Sequence, residues 1–109
     1  MAWQASHKYA RISARKARLI ADLIRGRDVQ DALDILKFTP NRAASMFSKV
    51  LTSAVANANE GEADVDILFV VDARADEGPT IKRYRAKDRG RAHPINKRTS
   101  HLLVSVEEG

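Results

Sequence analysis

Apolar residues recur at helical spacing through the first sixty positions. From Ala14 to Arg25, the residues Ala17, Ile20, Ala21 and Ile24 share one face with Leu23 beside them, while Arg15, Lys16, Arg18, Asp22 and Arg25 fall mostly elsewhere. Ser13 is placed to cap this helix, and Gly26 to end it, because glycine takes the left-handed conformation at little cost. A shorter helix follows, opened by Asp28 and Asp31, whose carboxylates suit the exposed amides of a first turn. Its apolar face is Val29, Ala32, Leu33 and Leu36. The break at "TPN" predicts a third helix, with Thr39 as cap and Pro40 at its first position. It should run to about Asn59, with Ala43, Met46, Phe47, Val50, Leu51, Ala54, Val55 and Ala58 as a long stripe, closed by "NEGEAD". The alanines let a neighbour pack close.

The remaining chain reads as strands. Residues 1–12 are expected to be extended, with Trp3, Tyr9 and Ile12 as anchors. The run "VDILFVV" (65–71) is β-branched and aromatic, and "RADEGPT" (74–80) reads as a turn. A strand should start at Thr80, and another should close the chain in "RTSHLLVSVEE", where Leu102, Val104 and Val106 share a face. Phe38, Phe47 and Phe69 are expected in the core. Helices followed by strands favour an α+β fold with an antiparallel sheet. The expected architecture is three helices packed on a small antiparallel three-stranded sheet, with a long protruding β-hairpin over residues 80–100. The 109 residues fit one domain.

Composition sharpens this picture only through charge. The net charge is +5. Residues 1–21 hold five basic groups and no acid, residues 22–81 six basic against eleven acidic, and residues 82–98 eight basic against one acid. Two basic blocks therefore flank an acidic body, and such segregation predicts a directed electrostatic surface. Cysteine is absent, which removes disulfides and thiolate metal sites and suits a reducing cytosol. No apolar run approaches the roughly 20 residues of a membrane span, and "MAWQASHKYARIS" lacks the apolar stretch of a secretory signal.

The second block is Lys82, Arg83, Arg85, Lys87, Arg89, Arg91, Lys97 and Arg98, opposed only by Asp88. Its flanks read as strands, so it is expected to form a hairpin turning near "KDRGRAH", where Gly90 tolerates unusual backbone angles. Arms of nine residues would reach about 30 Å. Only Tyr84 and Ile95 are sizeable apolar groups within it, and two-stranded ribbons are marginal in water even with better material. A polyanion is the expected support. An anionic membrane fits poorly, because the segment lacks a long apolar face. Arginine outnumbers lysine five to three, and guanidinium groups fork onto phosphates and stack on bases. Tyr84 and His93 are interleaved for stacking. The first block, His7, Lys8, Arg11, Arg15, Lys16 and Arg18, tilts the choice from a solvated loop towards RNA contact at more than one place. A free-standing regulator gripping duplex DNA with the same arm is the alternative; it would need dimer symmetry and a half-site preference.

These residues carry a resemblance. The segments "SARKARLIADLIRG", "ALDIL", "SAVANA", "DEGPT", "KR" (82–83), "RGRA" and "KRTSHL" occur in an order similar to the bacterial large-subunit ribosomal protein twenty-two family. The resemblance implies an α+β body near the exit of the ribosomal tunnel and a hairpin threading between segments of large-subunit ribosomal RNA. Its tip (Lys87, Asp88, Arg89, Gly90, Arg91, Ala92 and His93) would line the tunnel beside the nascent polypeptide and near the macrolide-binding region. Lys82, Arg83, Arg89, Gly90, Arg91, Ala92, Lys97 and Arg98 fall on the family's hairpin pattern. Neighbouring large-subunit ribosomal proteins are implied partners, with the chain a monomer within the cytoplasmic ribosome. Asp88, Pro94 and Asn96 depart from the pattern. Pro94 has no amide to donate, so strand pairing is expected to be interrupted there.

Catalysis finds little footing. In "TSH", Ser100 and His101 are adjacent on a strand and point to opposite faces, so a structural His101 is favoured. Glu60, Glu62, Asp64 and Asp66 alternate, but without the spacing of a calcium loop, and read as a solvated acidic edge. No enzyme activity, metal or cofactor is expected.

Overall fold

A computed structural model describes residues 2–79, 81–87 and 91–109, with 81–87 and 91–97 described through their backbone. The elements run β1 (Ala2–Ala10), α1 (Ala14–Ile24), α2 (Val29–Phe38), α3 (Arg42–Glu60), a 3-10 turn (Val65–Ile67), β2 (Leu68–Glu77), β3 (Ile81–Lys87), β4 (Arg91–Lys97) and β5 (Ser100–Glu108). β1, β5 and β2 form an antiparallel sheet in that order, and β3 and β4 form a separate antiparallel ribbon. The expected α+β architecture of three helices, a three-stranded sheet and a hairpin is therefore the observed one.

The helices cover one face of the sheet. Alternation along β5 sends Leu102, Val104 and Val106 inward, where all three are fully buried. α3 lies against them through Phe47, Leu51, Ala54 and Ala58, and its small residues bring it close to β1 and β5. Ser13 caps α1 by accepting from the Lys16 amide, and Gly26 ends the helical run with φ +82°. Trp3 packs half-buried against the core. A Cβ on Gly61 would stand 2.6 Å from its Nε1, so glycine at the end of α3 makes room for the indole.

Several expectations are corrected. Thr39 does not cap α3; its hydroxyl donates to the Ile35 carbonyl and closes α2 (2.6 Å). Asn41 is the cap instead, accepting from the Ala43 amide (2.9 Å). Asp28 opens α2 without a side-chain capping bond. Tyr9 is no anchor: it is 61% exposed, in the left-handed region at φ 58°, on a bulge in β1 between His7 and Ala10. Phe38 is not core either. It is 78% exposed at the end of α2, with the Lys37 ammonium over its ring.

The strand expected at 65–71 starts later and runs through the expected turn at Arg74–Glu77. Asp64 accepts from the Asp66 amide and caps a 3-10 turn before it. A bulge at Val71 then resets the phase of β2. Without it, Asp72 and Arg74 would continue the inward set of Leu68 and Val70. With it, Ala73 and Ala75 face inward and are buried. The outer edge of β2 is covered by α1 and the linker after it. Gly26 and Arg27 exchange backbone bonds with Val70, Arg25 donates to the Ala73 carbonyl, and Arg18 Nε donates to the Ala75 carbonyl. An edge with its carbonyls already satisfied cannot template another strand.

The ribbon continues the β2–β5 ladder. Glu77 pairs with Ser100, the Gly78 amide donates to the Thr99 carbonyl (2.9 Å), and Thr99 Oγ1 donates to the Pro79 carbonyl (2.6 Å). Beyond this waist, Ile81 pairs with Lys97 and so on to Lys87 with Arg91. The described arms are two residues shorter than expected, or about 23 Å at roughly 3.3 Å per residue. Pairing is not interrupted at Pro94, which lies opposite Tyr84 in unbroken register. Alternate residues of a two-stranded ribbon turn their N–H away from the partner, and a proline there costs no ladder bond. The molecule is correspondingly long, 62 × 25 × 16 Å. Its radius of gyration of 16.9 Å exceeds the roughly 13 Å of a compact chain of this size.

The waist has little slack. A Cβ on Gly78 would lie 2.6 Å from Thr99 Oγ1 and 3.3 Å from the Thr99 carbonyl. Gly78→Ala is expected to cost about 1–3 kcal/mol by overpacking, read as a lower midpoint in urea unfolding. An unchanged midpoint would mean that the junction yields freely.

Candidate nucleic-acid interface

The bulge in β1 and the start of α1 carry the first basic block. His7 is still paired, with Leu102, whereas Lys8 and Tyr9 leave the ladder. The Tyr9 amide donates to His101 Nδ1 (3.1 Å), and the two rings meet edge to face at 4.9 Å. A His101 nitrogen that accepts this bond carries no proton there, so a neutral His101 is protonated on Nε2. Ser100 turns the other way and donates to the Ile12 carbonyl (2.7 Å), fully buried. The "TSH" side chains thus tie β5 to the start of the chain, and no nucleophile–base pair forms between them.

His7, Lys8, Arg11, Arg15, Lys16 and Arg18 are all exposed, as is Arg98 just before β5. Two adjoining grooves bring most of these together. One is lined by Arg11, Ile12, Ser13, Lys16, Pro40, Asn41, Arg42 and Arg98. The other is lined by Ala14, Arg15, Arg18, Glu77, Gly78, Arg98 and Thr99. Arg98 belongs to both, so cations far apart in sequence meet at the root of the hairpin. Arg18 is partly committed to the fold through its bond to Ala75. Ion pairs among the described residues involve only Arg25 and Arg74, with Asp22, Asp72 and Asp76. The groove cations are left without carboxylate partners there.

The side chains of Lys82, Arg83, Arg85, Lys87, Arg91 and Lys97 lie outside the described residues, as do Asp88, Arg89 and Gly90 of the expected tip and the side chains of Ala92 and His93. Their strands nonetheless lead straight from the grooves. Glu60, Glu62, Asp64 and Asp66 are exposed, with Glu60 ending α3 and the others following it. Among the described residues, no three histidine or acidic side chains converge as metal ligands. No described helix is long and apolar enough to cross a membrane. The groove cation that belongs to neither basic block is Arg42. It lies within the acidic middle of the chain, and the break at "TPN" places it at a helix start.

A small α+β body with a cationic root and a paired ribbon suits a nucleic-acid-binding protein, and comparison with known proteins gives the class. The model of the family "Ribosomal protein L22p/L17e" matches residues 5–107. The large ribosomal subunit protein uL22 of Ligilactobacillus salivarius (strain UCC118) is 56% identical over 104 residues, covering 94% of this chain and 90% of the relative. That of Lacticaseibacillus casei (strain BL23) is 54% identical over 105 residues, covering 95% and 90%. The chain belongs to the ribosomal protein L22p/L17e family. It is thus a large-subunit ribosomal protein, in a family of structural proteins and not of enzymes.

Proposed function

We propose that this chain binds large-subunit ribosomal RNA through its two basic blocks, supports assembly of the subunit, and lines the polypeptide exit tunnel with its hairpin tip. The observation that carries the reading is the gathering of exposed cations, without carboxylate partners among the described residues, at the root of a separate two-stranded ribbon. The body contacts are His7, Lys8, Arg11, Arg15, Lys16, Arg18 and Arg98. The hairpin contacts are Lys82, Arg83, Arg85, Lys87, Arg89, Arg91 and Lys97. Phosphates neutralise the ribbon's self-repulsion, and guanidinium groups give the contacts direction. Neighbouring ribosomal proteins complete its surroundings, where it acts as a single-domain monomer. The acidic edge of Glu60, Glu62, Asp64 and Asp66, which lines neither groove, keeps RNA away from that side of the body. Family membership speaks against a free-standing DNA regulator.

The tunnel assignment has its own test. A photoreactive residue at Ala92 should cross-link to a radiolabelled nascent peptide in stalled ribosomes, whereas one at Glu62 should not. Cross-links from Ala92 to RNA and protein neighbours alone would remove the tip from the tunnel wall.

A further inference from the structure

We infer that the groove between the start of α1, the start of α3 and Arg98 is a cleft for RNA phosphates, and that Arg42 is one of its contact residues. The inference rests on the RNA-binding reading above and adds to it a site and a residue outside both basic blocks. Arg11 and Lys16, Arg42, and Arg98 come from three separate stretches of the chain and converge on one hollow of about 1000 Å³. No carboxylate lines it, whereas the adjoining groove contains Glu77. Four like charges around one hollow repel each other, and a bound polyanion removes that cost.

Charge placement along the helices points the same way. α2, which takes no part in the cleft, has the favourable arrangement, with Asp31 in its first turn and Lys37 in its last. α1 and α3 open on the cleft with cations in their first turns and no acid. A cation at that end opposes the helix dipole, so Arg42 is a poor choice for the stability of α3. The caps are already engaged, Ser13 with the Lys16 amide and Asn41 with the Ala43 amide, which leaves the cation side chains as the groups available to a ligand. Three arginine forks and a lysine at one hollow suit the non-bridging oxygens of consecutive phosphodiesters.

The test compares Arg42→Glu with Lys49→Glu in the full chain, binding a large-subunit ribosomal RNA transcript at about 0.15 M salt, where charges beyond roughly 8 Å are screened. Both changes alter net charge equally. Lys49 also lies on α3, but it lines a different groove, beside Asp34. Arg42→Glu should weaken binding about tenfold or more, and Lys49→Glu less than about twofold. Arg42→Gln should also weaken binding, with the log–log salt slope reduced by about one. Melting temperature should stay level or rise in Arg42→Glu, since an acid replaces a cation at a helix start. Should that variant melt lower, Arg42→Gln decides. Equal losses from Arg42→Glu and Lys49→Glu, or an Arg42→Gln that binds like the native chain, would overturn the cleft while leaving RNA binding intact. A native chain that does not bind the transcript would overturn both.

Discussion

Replacing Phe47 with alanine is expected to remove about 3–5 kcal/mol of stability, the usual cost of deleting a fully buried aromatic ring. Among the described residues, Phe47 is the largest fully buried side chain. It sits in α3, the helix that touches β1, β5, α1 and α2, so no single neighbour can shift to fill the hole. In a domain of this size each kcal/mol lowers the melting temperature by roughly 4–8 °C, so a drop of at least about 12 °C should appear by calorimetry. Phe38→Ala serves as the control. That ring is exposed, and its loss should change stability by less than about 0.5 kcal/mol. Similar melting temperatures for the two variants would mean that α3 is not the centre of the core.

The same pair of phenylalanines shows what the sequence makes legible. Phe47 continues a stripe with Ala43, Val50, Leu51 and Ala54, and periodicity alone assigns it to the core. Phe38 and Phe69 are expected there by residue type alone, without a stripe to support them, and neither belongs to the core: Phe38 is exposed, and Phe69 is half-buried on β2 outside the core cluster. β5 was legible because Leu102, Val104 and Val106 alternate without interruption. β2 was misread because its alternation is interrupted once. The bulge at Val71 shifts the phase, and Arg74–Glu77, rich in turn-forming types, is a regular strand with Ala73 and Ala75 inward. A bulge is selected by what the sheet must bury, which a local window does not contain. The α3 cap went to Asn41 over Thr39 for a related reason: Thr39 found a carbonyl to bind at the end of α2.

The candidate interface was legible as charge but not as geometry. Segregation of basic residues marked both blocks, and their meeting at Arg98 follows only from the pairing of β1 and β2 with β5. Arg42 joins them because the α2–α3 connection brings the start of α3 beside the start of α1.

That convergence sets the second large effect. Fourteen residues are proposed to contact RNA, and if only six neutralise phosphates, the affinity responds steeply to salt. At roughly −0.7 to −0.9 per phosphate, the log–log slope is about −4 to −5. Between 50 and 200 mM salt the affinity should then fall several hundredfold or more. Among the described residues, the exposed groove cations have no carboxylate partners, which makes this favourable, because few ion pairs there must break before RNA binds.

Titration of the native chain against a large-subunit ribosomal RNA transcript, repeated across that salt range, tests the central claim most directly. A slope of about −4 or steeper is the predicted result. A slope near zero, or affinity no greater than for an unrelated RNA of the same length, would contradict it.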